Sequence, residues 1–358
     1  MSVLWSDLRS VVRGLLTTRG FSLVASAALA LRIACVGVQT EEALTFSPLV
    51  MEQQLNGGAP LVDHHQHLLS PMLAGRLFDS APGQEPVTAD RLVAQLDAAG
   101  IQRAAVLSLG YMHGSPRIRG DDEYAHVRAE NDWTRQQAAK YPDRLRALCS
   151  FNPLKEYALT ELDRCASDPG LRHGLKLHFA NSQVDLQNVR HVEQVREVFR
   201  TADARRMPIV VHVWTGDERI GKPYGRAEAR VFLNDILAAA PDIPIQIAHL
   251  AGAGPGLDRG SKEALAVFAE AIAVGDRRTR NVYFDVATTV TLQTSPEDAV
   301  LIAARLHQIG LHRILYGSDM AIGPNPTARQ GWAAFRGMLP LTEAEFKTIA
   351  HNVAPYMR

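Results

Sequence analysis

Metal-competent side chains end four apolar segments of this chain. His65 and His67 close the segment from Leu61, His212 closes the one from Pro208, His249 the one from Pro244, and Asp319 the one from Ile314. A polar group at the end of a buried strand is costly without a partner, so these ends point to one shared site. A His-x-His pair alone is a weak pattern. With two further histidines and a Gly-Ser-Asp ending at Asp319, coincidence is hard to sustain. Imidazole nitrogen and carboxylate oxygen suit Zn²⁺, and also Mn²⁺, Fe²⁺ or Co²⁺. Three or four protein ligands with an open position describe a catalytic site, not a structural one.

The elements that must position these groups alternate from Pro60 onward. Strand patterns fall at 61–67, 103–109, 145–152, 174–179, 208–213, 244–250, 281–287 and 313–319. Helical patterns separate them at 88–100, 125–141, 158–166, 188–206, 227–240, 262–274 and 297–309. In the first of these Thr88 is the expected N-cap, Leu92, Val93 and Leu96 share a face, and Gly100 stops the helix. Eight strands alternating with helices mean a parallel sheet, and eight is the number that closes a (β/α)₈ TIM-type barrel with a filled interior. A doubly wound open sheet is the rival, but it gathers ligands at a switch point, not on first and last strands together. Strict alternation then puts Asp63, His65 and His67 on the inward face, with His64 and Gln66 on the other. It also turns Lys176 and His178 inward, and Leu175, Leu177 and Phe179 toward the helices. Closure would set strand eight beside strand one, so that Asp319 reaches the histidine pair.

Composition excludes other classes. The 358-residue chain has 46% hydrophobic and 21% charged residues and a formal net charge of zero, with no long basic run. Neither nucleic acid nor an anionic membrane is indicated as a partner. Three cysteines make a disulfide framework unexpected, and Cys149 and Cys165 read as two buried thiols. Residues 1–45 read as a leader: Arg9, Arg13 and Arg19 precede an apolar run over Phe21–Leu31 of signal-peptide length, too short for a comfortable membrane span. Arg32 interrupts that run and no clean Ala-x-Ala site follows, so an amphipathic N-terminal helix stays open beside an export signal. The remainder, 46–358, is assigned to the barrel, and the expected location is the periplasm or exterior if the leader acts, the cytoplasm otherwise.

Asp63–His67, Val211–Val213, Ile247–Leu250 and Tyr316–Asp319, with a closing helix near Ile349–Ala354, resemble the amidohydrolase superfamily in its amidohydrolase-related (amidohydrolase family 2) branch. The likeness runs from about Pro60 to the C-terminus. That branch holds metal-dependent hydrolases, lactonases, decarboxylases and hydratases. The resemblance implies that His65, His67, His212 and Asp319 bind one divalent metal, usually zinc or manganese. His249 would then position or activate the water, or polarise the substrate. Asp319 would take the water's proton and deliver it to the leaving group. Lys176 is read as orienting a substrate carboxylate; in some relatives such a lysine is carboxylated and bridges two metals, and a plain pairing with Asp63 or Asp285 is the bland alternative. His178, Trp214 and the Tyr111–Arg119 loop are candidate substrate contacts at the rim. The first expectation is a metal-dependent hydrolase of an amide, lactone or ester of a small organic acid. A decarboxylase with the same ligands is the alternative, and a non-catalytic binding barrel the minor one. Barrels of this class often pair through their outer helices, which makes a homodimer the default assembly.

Overall fold

The computed structural model describes residues 58–77, 85–118, 120–216, 222–320 and 325–358. The leader, Arg119 of the first rim loop and residues 321–324 of the last one lie outside the described residues. Eight strands run in the order β1 to β8, each parallel to its neighbour: β1 Val62–Gln66, β2 Arg103–Leu107, β3 Leu145–Ser150, β4 Leu175–His178, β5 Ile209–His212, β6 Ile245–Ile247, β7 Val282–Asp285 and β8 Ile314–Leu315. The His64 N–H donates to the Tyr316 carbonyl at 2.9 Å and the Asp319 N–H to the His65 carbonyl at 2.9 Å, which brings the chain of β8 alongside β1. The expected (β/α)₈ barrel is therefore the observed fold.

Helices α1 Pro71–Leu77, α2 Ala89–Ala99, α3 Gly110–His113, α4 Glu123–Ala138, α5 Ala158–Ser167, α6 Val189–Ala204, α7 Arg226–Val231, α8 Arg259–Ala273 and α9 Pro296–Ile309 lie between the strands, and α10 Ala328–Met338 and α11 Glu343–His351 follow them. Helix α2 starts and stops as its sequence dictates. The Thr88 side chain accepts from the Arg91 N–H, and Gly100 takes the left-handed conformation at φ 71°. The helix expected over 227–240 is less regular: α7 passes into a π-helical turn, Phe232–Ile236, and then a 3₁₀ turn, Leu237–Ala239. The likeness to a closing helix holds only as far as His351, after which the chain passes beneath the barrel.

Two apolar layers result. The larger packs the outward strand residues, among them Leu175, Leu177 and Phe179, against the helices. The smaller fills the barrel floor with Val62, Ala105, Leu107, Leu148, Val210 and Leu315, plugged from below by Ala354, Tyr356 and Met357. Arg103 and Arg146 hold that plug by donating to the Met357 and Tyr356 carbonyls at 2.7 and 3.0 Å.

The cysteine expectation is corrected. Cys149 on β3 and Cys165 on α5 form a disulfide, with Cα atoms 6.2 Å apart. Spacing alone concealed this, because it is the packing of α5 back onto β3 that makes the two residues neighbours. Denatured without reductant, the full-length chain is expected to titrate one thiol, that of Cys35, and three after reduction. Three thiols before reduction would show that the pair stays reduced.

Candidate metal centre

The strands end earlier than their hydrophobic runs, and the site residues occupy the turns beyond them. His249 follows β6 in a 3₁₀ segment, Ala248–Ala251, and Asp319 lies four residues past the end of β8. Both have positive φ, 54° and 53°, and Leu250 and Ala251 continue at 49° and 65°. A left-handed non-glycine residue costs about 1–2 kcal/mol. Such strain persists only where surrounding contacts determine it, and it gathers at functional sites. Here the His249 N–H donates to Asp285 Oδ1 at 2.9 Å, the Tyr224 hydroxyl to the Ala251 carbonyl at 2.7 Å, and the Asp319 N–H to β1.

Strand β1 departs from strict alternation. Its register with β2 shifts between Asp63 and Gln66, so His64 and His65 both reach the interior. His64 accepts from the Ala354 N–H at 3.1 Å on the floor, while its Nδ1 meets the Tyr316 carbonyl at 2.9 Å. Asp63, expected on the metal face, instead accepts from the Ser318 hydroxyl, the Ser318 N–H and the Gln66 amide. It thereby locks β1 to the turn that carries Asp319. Gly317 is required there by packing: a Cβ would stand 2.8 Å from the Cβ of His65.

One ligand atom from each of His65, His67 and Asp319 lies within 4.8 Å of the others. His67 Nε2 is 3.7 Å from Asp319 Oδ1, and its Nδ1 meets the Leu107 carbonyl at 2.6 Å. His65 Nδ1 meets Asp285 Oδ2 at 3.0 Å and leaves Nε2 facing the cluster. His249 Nδ1 meets the Ala287 carbonyl at 2.8 Å, and its ring centre is 4.7 Å from that of His65. His212 stands beside the trio: its ring centre is 5.0 Å from His249 and 4.0 Å from His178. Its buried Nε2 has no hydrogen-bond partner. An orphaned imidazole nitrogen beside three converging donors fits a site that binds a cation.

Lys176 is buried among these histidines. Its Nζ sits 3.1 Å from His65 Nε2, and it pairs with neither Asp63 nor Asp285. Burial lowers its pKa to about 8, while Asp285 and Asp319 pull the other way. Burial and the neighbouring Lys176 push His65 down to about 3, and His67, His178 and His212 are driven well below their usual range. The rings are thus neutral at pH 7, with lone pairs available to a ligand. Burial raises Asp319 to about 7, against the pull of Lys176.

Of the rim candidates, Tyr111 and His178 join the centre, their rings 5.0 Å apart, with His178 next to His212. Trp214 lines a cavity of about 920 Å³ that opens over the ends of β4 and β5, together with Arg117, Asn181, Lys222 and Tyr224. The histidines themselves are not on its walls. It adjoins them through Ala180, two residues past His178, and through Trp214, two past His212. The sequence reading missed Asp285 as a part of the site, and also Gln246, which donates to it at 2.6 Å. The signal was present: Asp285 is a carboxylate at the end of an apolar strand, β7, as Asp319 is after β8.

A barrel with a His/His/Asp donor set at its C-terminal mouth belongs to the metal-dependent barrel enzymes. The family model for amidohydrolases matches residues 62–354, and the chain belongs to the amidohydrolase superfamily, in its amidohydrolase-related branch. No curated protein matches the sequence. Among solved structures, 5-carboxyvanillate decarboxylase from Novosphingobium aromaticivorans, complexed with manganese and a nitrobenzoic acid, aligns at TM-score 0.55 and 14% identity over 85% of this chain and 97% of that one. The 2,6-dihydroxybenzoate decarboxylase from Rhizobium aligns at 0.56 and 18% over 82% and 97%. A probable 2-pyrone-4,6-dicarboxylic acid hydrolase from Acinetobacter baumannii, with citric acid bound, aligns at 0.54 and 16% over 81% and 96%. No helix among the described residues is long and apolar enough to cross a membrane.

Two outcomes follow from these electrostatics. Between pH 6.5 and about 3 the unfolded chain protonates His65 while the folded chain does not, and His67, His178 and His212, held well below their usual range by burial, act in the same direction. Stability is then lost as pH falls, by about 1.4 kcal/mol per pH unit per group. Asp63 and Asp319, raised to about 6 and about 7, oppose this but are outnumbered. The Tm of metal-free protein is expected to drop between pH 7 and pH 5, and a flat profile would show that the folded chain takes up as many protons as the unfolded one over that range. Secondly, Lys176→Met removes a positive charge from beside His65 Nε2, and Zn²⁺ affinity is expected to rise severalfold in chelator competition; a fall would make Lys176 a ligand.

Proposed function

We propose that this chain is a metal-dependent hydrolase that cleaves an ester, lactone or amide of a small carboxylate-bearing molecule. The observation that carries this reading is the convergence of His65, His67 and Asp319 at the mouth, beside an unpartnered His212 Nε2. His65, His67, His212 and Asp319 would hold one divalent ion, zinc or manganese by donor type. Bound there, such an ion supplies Lewis acidity toward a carbonyl and makes a water acidic near neutral pH. Asp319 would accept the proton of the attacking water and return it to the leaving group. His249, with its Nδ1 engaged by the Ala287 carbonyl, directs Nε2 inward toward the scissile group.

The substrate class follows from what surrounds this centre. Lys176 is a buried cation against His65, and Tyr111 and His178 offer ring faces next to His212. The adjoining cavity mixes Trp214 and Tyr224 with Arg117, a surface suited to an aromatic or unsaturated acid. A second reading is favoured by the likeness to the two decarboxylases: the same donors would hold a substrate carboxylate next to Lys176, and carbon dioxide would be lost in place of hydrolysis. An exported location and a homodimeric assembly belong to the same proposal.

Metal analysis on wild type and His65→Ala, followed by product assay, tests the reading. We expect about one equivalent per chain, largely lost in the variant, and turnover of a panel of lactones, esters and amides of aromatic acids. Carbon dioxide release from the free acids, with no lactone or ester turnover, would move the chain to the lyase reading. Metal-free protein after purification with Zn²⁺ and Mn²⁺ supplied would overturn both.

A further inference from the structure

We infer that Asp285 is the positioning residue of this centre, a single carboxylate that fixes the tautomer of His65 and the turn that carries His249. The inference rests on the proposed metal centre for its consequence but not for its geometry. Asp285 ends β7, is fully buried, and uses both oxygens twice. Oδ2 accepts from His65 Nδ1 at 3.0 Å and from the Gln246 side chain at 2.6 Å. Oδ1 accepts from the His249 N–H at 2.9 Å and the Ala287 N–H at 3.2 Å. Four donors on one buried group leave no lone pair for a ligand, so Asp285 acts on the centre only through the residues it holds.

The consequences differ for the two histidines. An ionised carboxylate only accepts, so the proton of neutral His65 must sit on Nδ1 and the lone pair on Nε2 must face His67, Asp319 and Lys176. For His249 the control runs through the backbone. Asp285 Oδ1 clamps the first of three consecutive left-handed residues, and it also holds Ala287, whose carbonyl meets His249 Nδ1 at 2.8 Å. One oxygen thereby sets both the backbone and the ring of His249. Both rings are presented in the same sense, Nδ1 outward and Nε2 inward.

Asp285→Asn keeps the shape of the side chain but replaces one oxygen by an NH₂. With Oδ1 retained toward the two backbone N–H groups, the NH₂ faces His65 Nδ1 and forces the proton to Nε2, the atom that must bind metal. The experiment is ¹⁵N-edited NMR of the histidine rings in metal-free protein, paired with Zn²⁺ affinity measured by chelator competition and a thermal melt as the check on folding. Wild type is expected to show His65 as the Nδ1–H tautomer. Asp285→Asn is expected to show the Nε2–H tautomer and to bind Zn²⁺ about 10–100-fold more weakly, the range for lost partners of metal-ligating histidines. A folded Asn variant with unchanged tautomer and affinity would overturn the role of Asp285. An Nε2–H tautomer in the wild type would overturn it without any variant. A wild type that shows the Nδ1–H tautomer yet binds neither Zn²⁺ nor Co²⁺ would uphold Asp285 and overturn the metal reading instead.

Discussion

Two backbone hydrogen bonds between the first strand and the turn after the last make the site possible. His64 to Tyr316 and Asp319 to His65 close the barrel at the point where the His-x-His pair and the carboxylate must meet, 252 residues or more apart in sequence. Strand β8 itself is only two residues long, so its own ladder contributes little to that closure. The deficit is met by side chains: Asp63 accepts from the hydroxyl and N–H of Ser318, and Gly317 lets the turn lie against His65. A carboxylate that strict alternation turns toward the centre thus serves the seam.

The seam brings the candidate ligands together, and electrostatics decides their state. Several imidazoles packed around one ammonium group would be intolerable if protonated, and burial keeps them neutral. Each ring must then place its single proton, and backbone carbonyls and Asp285 take that proton on Nδ1 for His65, His67 and His249. A uniform tautomer leaves the Nε2 lone pair of each of these rings unprotonated and available. His212 shows the complement, a lone Nε2 with nothing yet to bind.

Much of this was legible in the chain. Alternating segments gave eight strands, and the strand-end histidines and Asp319 did gather at one mouth, because a barrel puts every strand's C-terminal end on the same face. Inward Lys176 and His178 also followed from period-2 alternation. What was not legible depended on departures from regularity. The register shift in β1 moved Asp63 off the metal face, and positive φ at His249 and Asp319 set them in turns where a regular strand was expected. Neither feature has a sequence mark, since no glycine stands at these positions. The disulfide was hidden for a similar reason, as it depends on how α5 packs, not on spacing. Asp285 was visible as a strand-end carboxylate but bears no ligand pattern, because its part is to hold ligands and not to be one.

Between the two proposed reactions, hydrolysis and decarboxylation, Lys176 would make the difference. At 3.1 Å from His65 Nε2, an ammonium group and a divalent ion compete for the same lone pair. The lysine must therefore yield when the centre loads, and the direction in which it yields matters. Turned toward the substrate, it neutralises a carboxylate and holds that group beside the metal ligands, as a decarboxylase requires. Left neutral, with its pKa already lowered by burial, it leaves the interior for water and a carbonyl, and Asp319 becomes the group that moves protons. In the substrate-free protein burial lowers the Lys176 pKa to about 8, while Asp285 and Asp319 raise it against that burial. The balance between a charged and a neutral lysine therefore lies close to neutral pH, where the added repulsion of a divalent ion would tip it toward the neutral form.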